Sequence, residues 1–157
     1  MKLEGTYSFR GPREAVWELL QDPDVLMKAL PGAERLTRAG EDTFEGVMKV
    51  GLGPVTAAAF ALSVTLHDKR PPEHFQMRID SKGSLGFARG TAVVDLEEGA
   101  DGGTVMRYAS DLQIGGRIAA VGQRVVDSAA RMMTQKGLEA LQRVLDDRLA
   151  QSGGGAA

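Results

Sequence analysis

The stretch TVMRYASDLQIGG, residues 104–116, followed by RIAAVGQRVVDSAARMMTQKGLEALQRVLDDRLA, residues 117–150, decides the fold. Its first part alternates. Met106, Tyr108, Ser110, Leu112 and Ile114 share one side, the period-two mark of a strand with one buried face. After Gly115-Gly116 the period changes, and the spacing predicts one helix from about Ile118 to Leu149. At ~1.5 Å per residue such a helix spans more than ~40 Å, enough to cover a small domain. Its inward face is expected to be small and flexible: Gly122, Ala129, Ala130, Met132, Met133 and Gly137. A long helix laid over a curved sheet through such residues predicts a hollow, and binding ahead of catalysis.

The same alternation runs upstream. Leu3, Gly5, Tyr7 and Phe9 face one way in a strand at 2–9, which Gly11-Pro12 breaks. Ala15, Val16, Leu19 and Leu20 then recur at helical spacing around Trp17. Asp22-Pro23 ends that helix and starts a second, Asp24 to Leu30, closed by Pro31-Gly32. Strands are predicted at 34–39, 43–50, 57–66, 74–80, 87–97 and 104–114, with turns at Gly51-Leu52-Gly53-Pro54, Pro71-Pro72, 81–86 and 99–103. Links this short imply antiparallel neighbours. The expectation is an α+β fold: a seven-stranded curved antiparallel sheet around a long C-terminal helix, with two short helices after strand one. Residues 1–150 form one domain in this reading, and 151–157 a flexible tail.

Composition narrows the function. The 157 residues are 43% hydrophobic and 25% charged, with net charge −2, which suits one soluble domain with a full core. That balance excludes a nucleic-acid binder working through a basic face. With no cysteine there is no disulfide, thiol chemistry or thiolate metal site. The opening MKLEGTYSFRGP lacks an apolar signal region, and no apolar run approaches the ~20 residues of a membrane span. A cytoplasmic protein is expected.

Several tempting sites read as ordinary surface. His67 and His74 flank a turn that carries Asp68 and Glu73, but no third nitrogen or sulfur ligand lies near, so no metal is expected. The Gly-rich 83–90 joins two strands, whereas a phosphate cradle needs a strand-to-helix turn. Arg117, Arg124 and Arg131 recur every seven residues. With Asp127 four before Arg131 and Glu139 four before Arg143, they read as a solvated helix face rather than a docking stripe for an acidic partner. Asp111 and Arg107 lie on the strand face opposite Tyr108. No catalytic triad or acid dyad is recognisable, so no catalytic residue and no cofactor is assigned.

The inward faces mix very small residues (Gly5, Gly46, Ser110) with adaptable methionines (Met48, Met77, Met106, Met132, Met133). Strand glycines leave space, and methionine suits a wall that accepts varied apolar guests. The same residues also fit a packed core with methionine as filler. The topology favours the hollow, because one helix over a curved sheet leaves an end unfilled.

Four segments also carry a family resemblance. They are Phe9-Arg10-Gly11-Pro12-Arg13-Glu14-Ala15-Val16-Trp17-Glu18-Leu19-Leu20-Gln21-Asp22-Pro23 with Ala29-Leu30-Pro31-Gly32-Ala33-Glu34; Lys49-Val50-Gly51-Leu52-Gly53-Pro54-Val55; Arg70-Pro71-Pro72-Glu73; and Gly115-Gly116-Arg117-Ile118-Ala119-Ala120-Val121-Gly122-Gln123-Arg124. Together they resemble the CoxG family of carbon monoxide dehydrogenase, a branch of the START-like SRPBCC (helix-grip) superfamily, over about residues 2–145. The resemblance implies a helix-grip domain with a deep apolar cavity. It also implies an accessory role for a molybdenum hydroxylase of the carbon monoxide dehydrogenase type. Many members of the family carry a C-terminal membrane-tying extension, which is not found in this sequence; a peripheral position at the inner face of the membrane is the variant of the cytoplasmic reading.

The resulting expectation is a non-catalytic carrier for an apolar small molecule, with a quinone as first candidate. The expected wall is Trp17, Leu20, Met48, Phe75, Met77, Met106, Tyr108, Leu112, Val121, Val125, Ala129 and Met132, with the Tyr108 hydroxyl free to meet a head-group carbonyl. Two rivals stand beside it. One is an aromatase/cyclase-like or hydrolytic enzyme using the same cavity, for which only Tyr108 and Ser110 offer inward polar groups. The other is a docking or assembly factor whose cavity is unused.

Overall fold

In the computed structural model, alternation becomes one sheet. The structure describes residues 1–52 and 55–156, with side chains outside 52–57 and 153–157. Strand β1 (Lys2–Phe9) leads into helices α1 (Arg13–Leu20) and α2 (Pro23–Ala29). Then come β2 (Ala33–Arg38), β3 (Thr43–Leu52), β4 (Val55–Arg70), β5 (His74–Gly83), β6 (Gly86–Glu98) and β7 (Thr104–Gly115), with a 3-10 turn at Ala100–Gly102 before β7. The chain closes with α3 (Arg117–Ala120) and α4 (Gln123–Ala156). All strand pairs are antiparallel, in the order β1-β7-β6-β5-β4-β3-β2. The α+β reading with seven strands, a long C-terminal helix and two short early helices therefore holds.

Two expectations need correction. β4 is longer than 57–66, running from Val55 to Arg70, because its register with β5 extends to Arg70↔His74. The single helix from Ile118 is in fact two. Gly122 sits at φ +102°, a left-handed conformation that a right-handed helix cannot propagate through, and Gly116 at φ +83° turns the chain out of β7. Of the expected inward face, Gly122 and Met132 are exposed, while Ala129 and Gly137 are buried together with Leu138, Leu141 and Leu145. Helix α4 is described to Ala156, and the side chains of the expected tail beyond Ser152 lie outside the described residues. Gly53 and Pro54 of the expected turn also lie outside them.

The core sits in two clusters at opposite ends of the sheet. At the Phe9–Thr104 end, Phe9, Val16, Trp17, Leu19, Leu96, Met106 and Leu145 pack together. At the Gly83–Gly86 end, a smaller cluster joins Ala58, Phe60, Ile118 and Ala129. Helix α4 reaches both, and closely approaches α2, α1, β3 and β1.

Polar contacts fix the larger end. Asp22 caps α2 by accepting from the Asp24 N–H at 2.9 Å, and Arg148 of α4 reaches the same carboxylate at 3.2 Å. Partial burial works to raise the Asp22 pKa. The hydrogen bond from Arg148, the N–H groups of Asp24 and Val25 and the Arg148 charge outweigh it and hold the carboxyl below its ordinary value.

Two outcomes follow for this end. Leu145 has no exposed surface, so Leu145→Ala should lower unfolding free energy by about 2–5 kcal/mol in urea titration. Because the folded pKa of Asp22 is depressed, its stabilisation is present above the unfolded pKa near ~3.9 and is lost as pH falls through the folded value. Asp22→Asn should therefore flatten the acid limb of a stability–pH curve, and Asp22→Ala should also remove about 1 kcal/mol of cap at neutral pH.

Candidate functional site

Beneath α4, bordered by residues of the larger cluster, lies a hollow of about 360 Å³. Its floor follows matched positions on neighbouring strands. Leu66, Met77, Ala92, Ser110 and Leu3 form one row across five strands; Phe75, Val94 and Tyr108 form the next. Leu20 of α1, Leu26 and Ala29 of α2 and Leu30 just after it close one side. The roof is Met133, Thr134, Gly137, Leu138 and Leu141 of α4. Period two on the strands and spacings of three and four on the helix aim all of these inward.

Five of the twelve expected wall residues line this space: Leu20, Phe75, Met77, Met106 and Tyr108. The other seven lie elsewhere. Trp17 stands behind the wall, edge-on to Phe75 with ring centroids 5.4 Å apart. Val125 and Ala129 belong to the cluster around Phe60, and Met48 is half-buried on β3 opposite Phe60. Leu112 borders a separate cleft with Met1 and Val126. Val121 is half-buried at the end of α3, and Met132 is 51% exposed. The first turns of α4 pack on the small cluster, so the roof begins at Met133. The stripe Thr134, Gly137, Leu138, Leu141, Leu145 carried the signal for that roof, at i, i+3, i+4, i+7 and i+11.

The wall is nearly all hydrocarbon. None of the described residues lining it is acidic, basic or histidine. Its hydroxyls are those of Ser110, Thr134 and Tyr108. Ser110 donates to the Leu3 carbonyl at 3.3 Å and Thr134 to the Ala130 carbonyl at 2.8 Å. Tyr108 has no side-chain hydrogen bond to any described residue. The phenol lies across Gly5, where an added Cβ would fall 2.5 Å from the hydroxyl oxygen.

The other candidates lie outside this space. His74 is clamped between Asp95 (Nδ1 to Oδ1, 2.7 Å) and Asp68 (Nε2 to Oδ2, 3.2 Å). His67 Nε2 is buried without a hydrogen-bond partner among the described residues. Among the described residues no group of three or more His, Asp or Glu could hold a metal. Arg117, Arg124 and Arg131 are exposed and make no ion pair among the described residues; Glu139 accepts from Gln135 at 2.8 Å rather than pairing with Arg143. No helix among the described residues is long and apolar enough to cross a membrane.

Comparison with known proteins agrees with this architecture. The family model for the CoxG subunit of carbon monoxide dehydrogenase matches residues 5–146. No curated protein matches the sequence. A crystal structure of a conserved protein from Geobacillus kaustophilus superposes with TM-score 0.88 at 26% identity, covering 94% of this chain and 96% of that one. A START superfamily protein from Mycobacterium smegmatis superposes with TM-score 0.70 at 9% identity, covering 93% and 97%. A protein from Thermus thermophilus does so at 0.68 and 19%, covering 94% and 99%. The chain belongs to the CoxG family and has the START-like helix-grip fold.

The Tyr108 ring position depends on Gly5. Gly5→Ala should drive the phenol off β1, which the near-ultraviolet circular dichroism of the two tyrosines should register. Unchanged tyrosine signals would contradict the placement.

Proposed function

We propose that this chain is a non-catalytic carrier of an apolar small molecule that serves a molybdenum hydroxylase of the carbon monoxide dehydrogenase type. The observation that carries the reading is the hollow itself: about 360 Å³ walled by aliphatic, aromatic and thioether side chains, with one uncommitted hydroxyl. Its size falls in the range of small-molecule sites. Each 100 Å² of apolar guest surface removed from water contributes about 2.5 kcal/mol, so an aliphatic tail would be held without a fixed polar contact. Among the described residues the wall carries no carboxylate, imidazole, ammonium or guanidinium, and the Tyr108 phenol is its one group suited to proton transfer, which supports a carrier over an enzyme.

A quinone is the first candidate ligand. It combines an apolar tail with carbonyl acceptors, matching the hydrocarbon wall and the Tyr108 donor. A redox enzyme that passes electrons to a lipid-soluble acceptor needs that acceptor brought to it, which accords with the dehydrogenase that the family's description names. The contacts proposed for the ligand are Leu20, Phe75, Met77, Met106 and Tyr108, with Met133 and Leu138 above. Such a carrier would load at the inner face of the membrane as a peripheral protein.

Organic extraction of the purified protein followed by mass spectrometry should recover an apolar compound. Short-tailed benzoquinones should also change the emission of Trp17, the single tryptophan, saturably through its contact with Phe75. No retained compound together with no saturable change would contradict the proposal. Tyr108→Phe should weaken quinone binding about five- to tenfold, the worth of about 1 kcal/mol for one hydrogen bond, and leave binding of a hydrocarbon of similar length unchanged.

A further inference from the structure

We infer that Gly137 sets the girth of guest that the hollow accepts, an inference that rests on the carrier function proposed above. A glycine inside a helix is the least favourable residue after proline, so its presence there calls for a reason. Backbone geometry does not supply one, because Gly137 lies within α4 and does not adopt a left-handed conformation. Packing does not supply one either. A Cβ at this position would meet the Ala29 carbonyl oxygen at 3.8 Å and Leu30 Cδ2 at 3.9 Å, both ordinary contacts. Gly11 differs: a Cβ there would fall 2.8 Å from Leu145 Cδ2. Alanine at 137 would therefore fit and would strengthen the helix.

What the missing side chain does leave is space in the hollow. Gly137 lines it, as do Ala29 and Leu30 across the seam where α4 approaches α2. Its roof neighbours Met133 and Leu138 carry long side chains, so Gly137 is a notch between them. A side chain there would point at the α2 end, into the gap that a branched or ring-bearing guest would occupy. The small side chains of Ala92 and Ser110 sit in the floor row below the roof. Gly137 is accordingly a specificity-determining position for bulky apolar ligands, and it has no part in holding a small ring by itself.

The test uses the full chain with Gly137→Ala and Gly137→Leu, and benzoquinones bearing zero, one or two prenyl units titrated against Trp17 emission. The melting temperature of each variant is measured alongside. Gly137→Ala should melt about 2–4 °C higher than the parent and bind the two-prenyl probe at least twofold more weakly. Gly137→Leu should weaken that probe tenfold or more while changing the prenyl-free probe less than twofold. If the parent binds the series and both variants bind the two-prenyl probe within twofold of it, the inference is overturned and the carrier function stands. Equal losses for every probe would also overturn it, as the mark of general disruption. If the parent binds no probe, both fail. Should Gly137→Leu not fold, the alanine variant decides alone.

Discussion

Gln142 fixes where the long helix must lie. It is 4% exposed, accepts the Arg10 N–H at 2.9 Å and donates to Asp146 at 2.8 Å. Arg10 in turn reaches Asp146, and Thr104 donates to the Gly11 carbonyl at 2.8 Å. A buried amide left unpaired would cost about 1–3 kcal/mol, so this side chain anchors α4 to the corner where β1 turns into α1. Leu145 and Leu141 then bury beside it. With its second half held there and its first turns resting on the Phe60 cluster, α4 spans the sheet without sinking into its concave face.

The hollow follows from that suspension. Between the Gln142 anchor and the first turns of α4, the facing positions include small residues: Ala92 and Ser110 below, Gly137 above, Ala29 at the side. Larger side chains at those places would close the gap and add packing. Unfilled apolar volume on this scale costs on the order of several kcal/mol, a cost that a guest burying hydrocarbon surface offsets. The Tyr108 hydroxyl belongs to the same logic, because a polar atom on an apolar wall is most useful to a ligand that brings an acceptor.

Much of the fold was legible because period two survives along most strands, though not along β2, where Leu36 alone is buried. Phe75 and Met77, or Met106 and Tyr108, needed no partner in view to be placed inward. Five wall residues came from that signal and from Leu20 on the first helix. The helical part was less legible for a physical reason. Gly122 in a helical pattern looks like a tolerated glycine, and only its left-handed backbone reveals the break that separates α3 from α4. The contributions of Leu26 and Leu30 were hidden as well, since a seven-residue helix is too short to declare a face. Leu62, Val64 and Leu66 alternate along one face of β4. Which part of that face meets packing and which meets space depends on sheet curvature, which sequence periodicity does not encode.

The methionines offer the most direct test, since Met77, Met106 and Met133 line the hollow while Met48 and Met132 lie outside it. Methyl-labelled methionine spectra recorded with and without dissolved xenon, an atom that enters dry apolar cavities, separate the two groups. The account predicts shifts at Met77, Met106 and Met133, with Met48 and Met132 unmoved. Silence at the first three, or an equal response at Met48 and Met132, would mean that the space beneath α4 is filled.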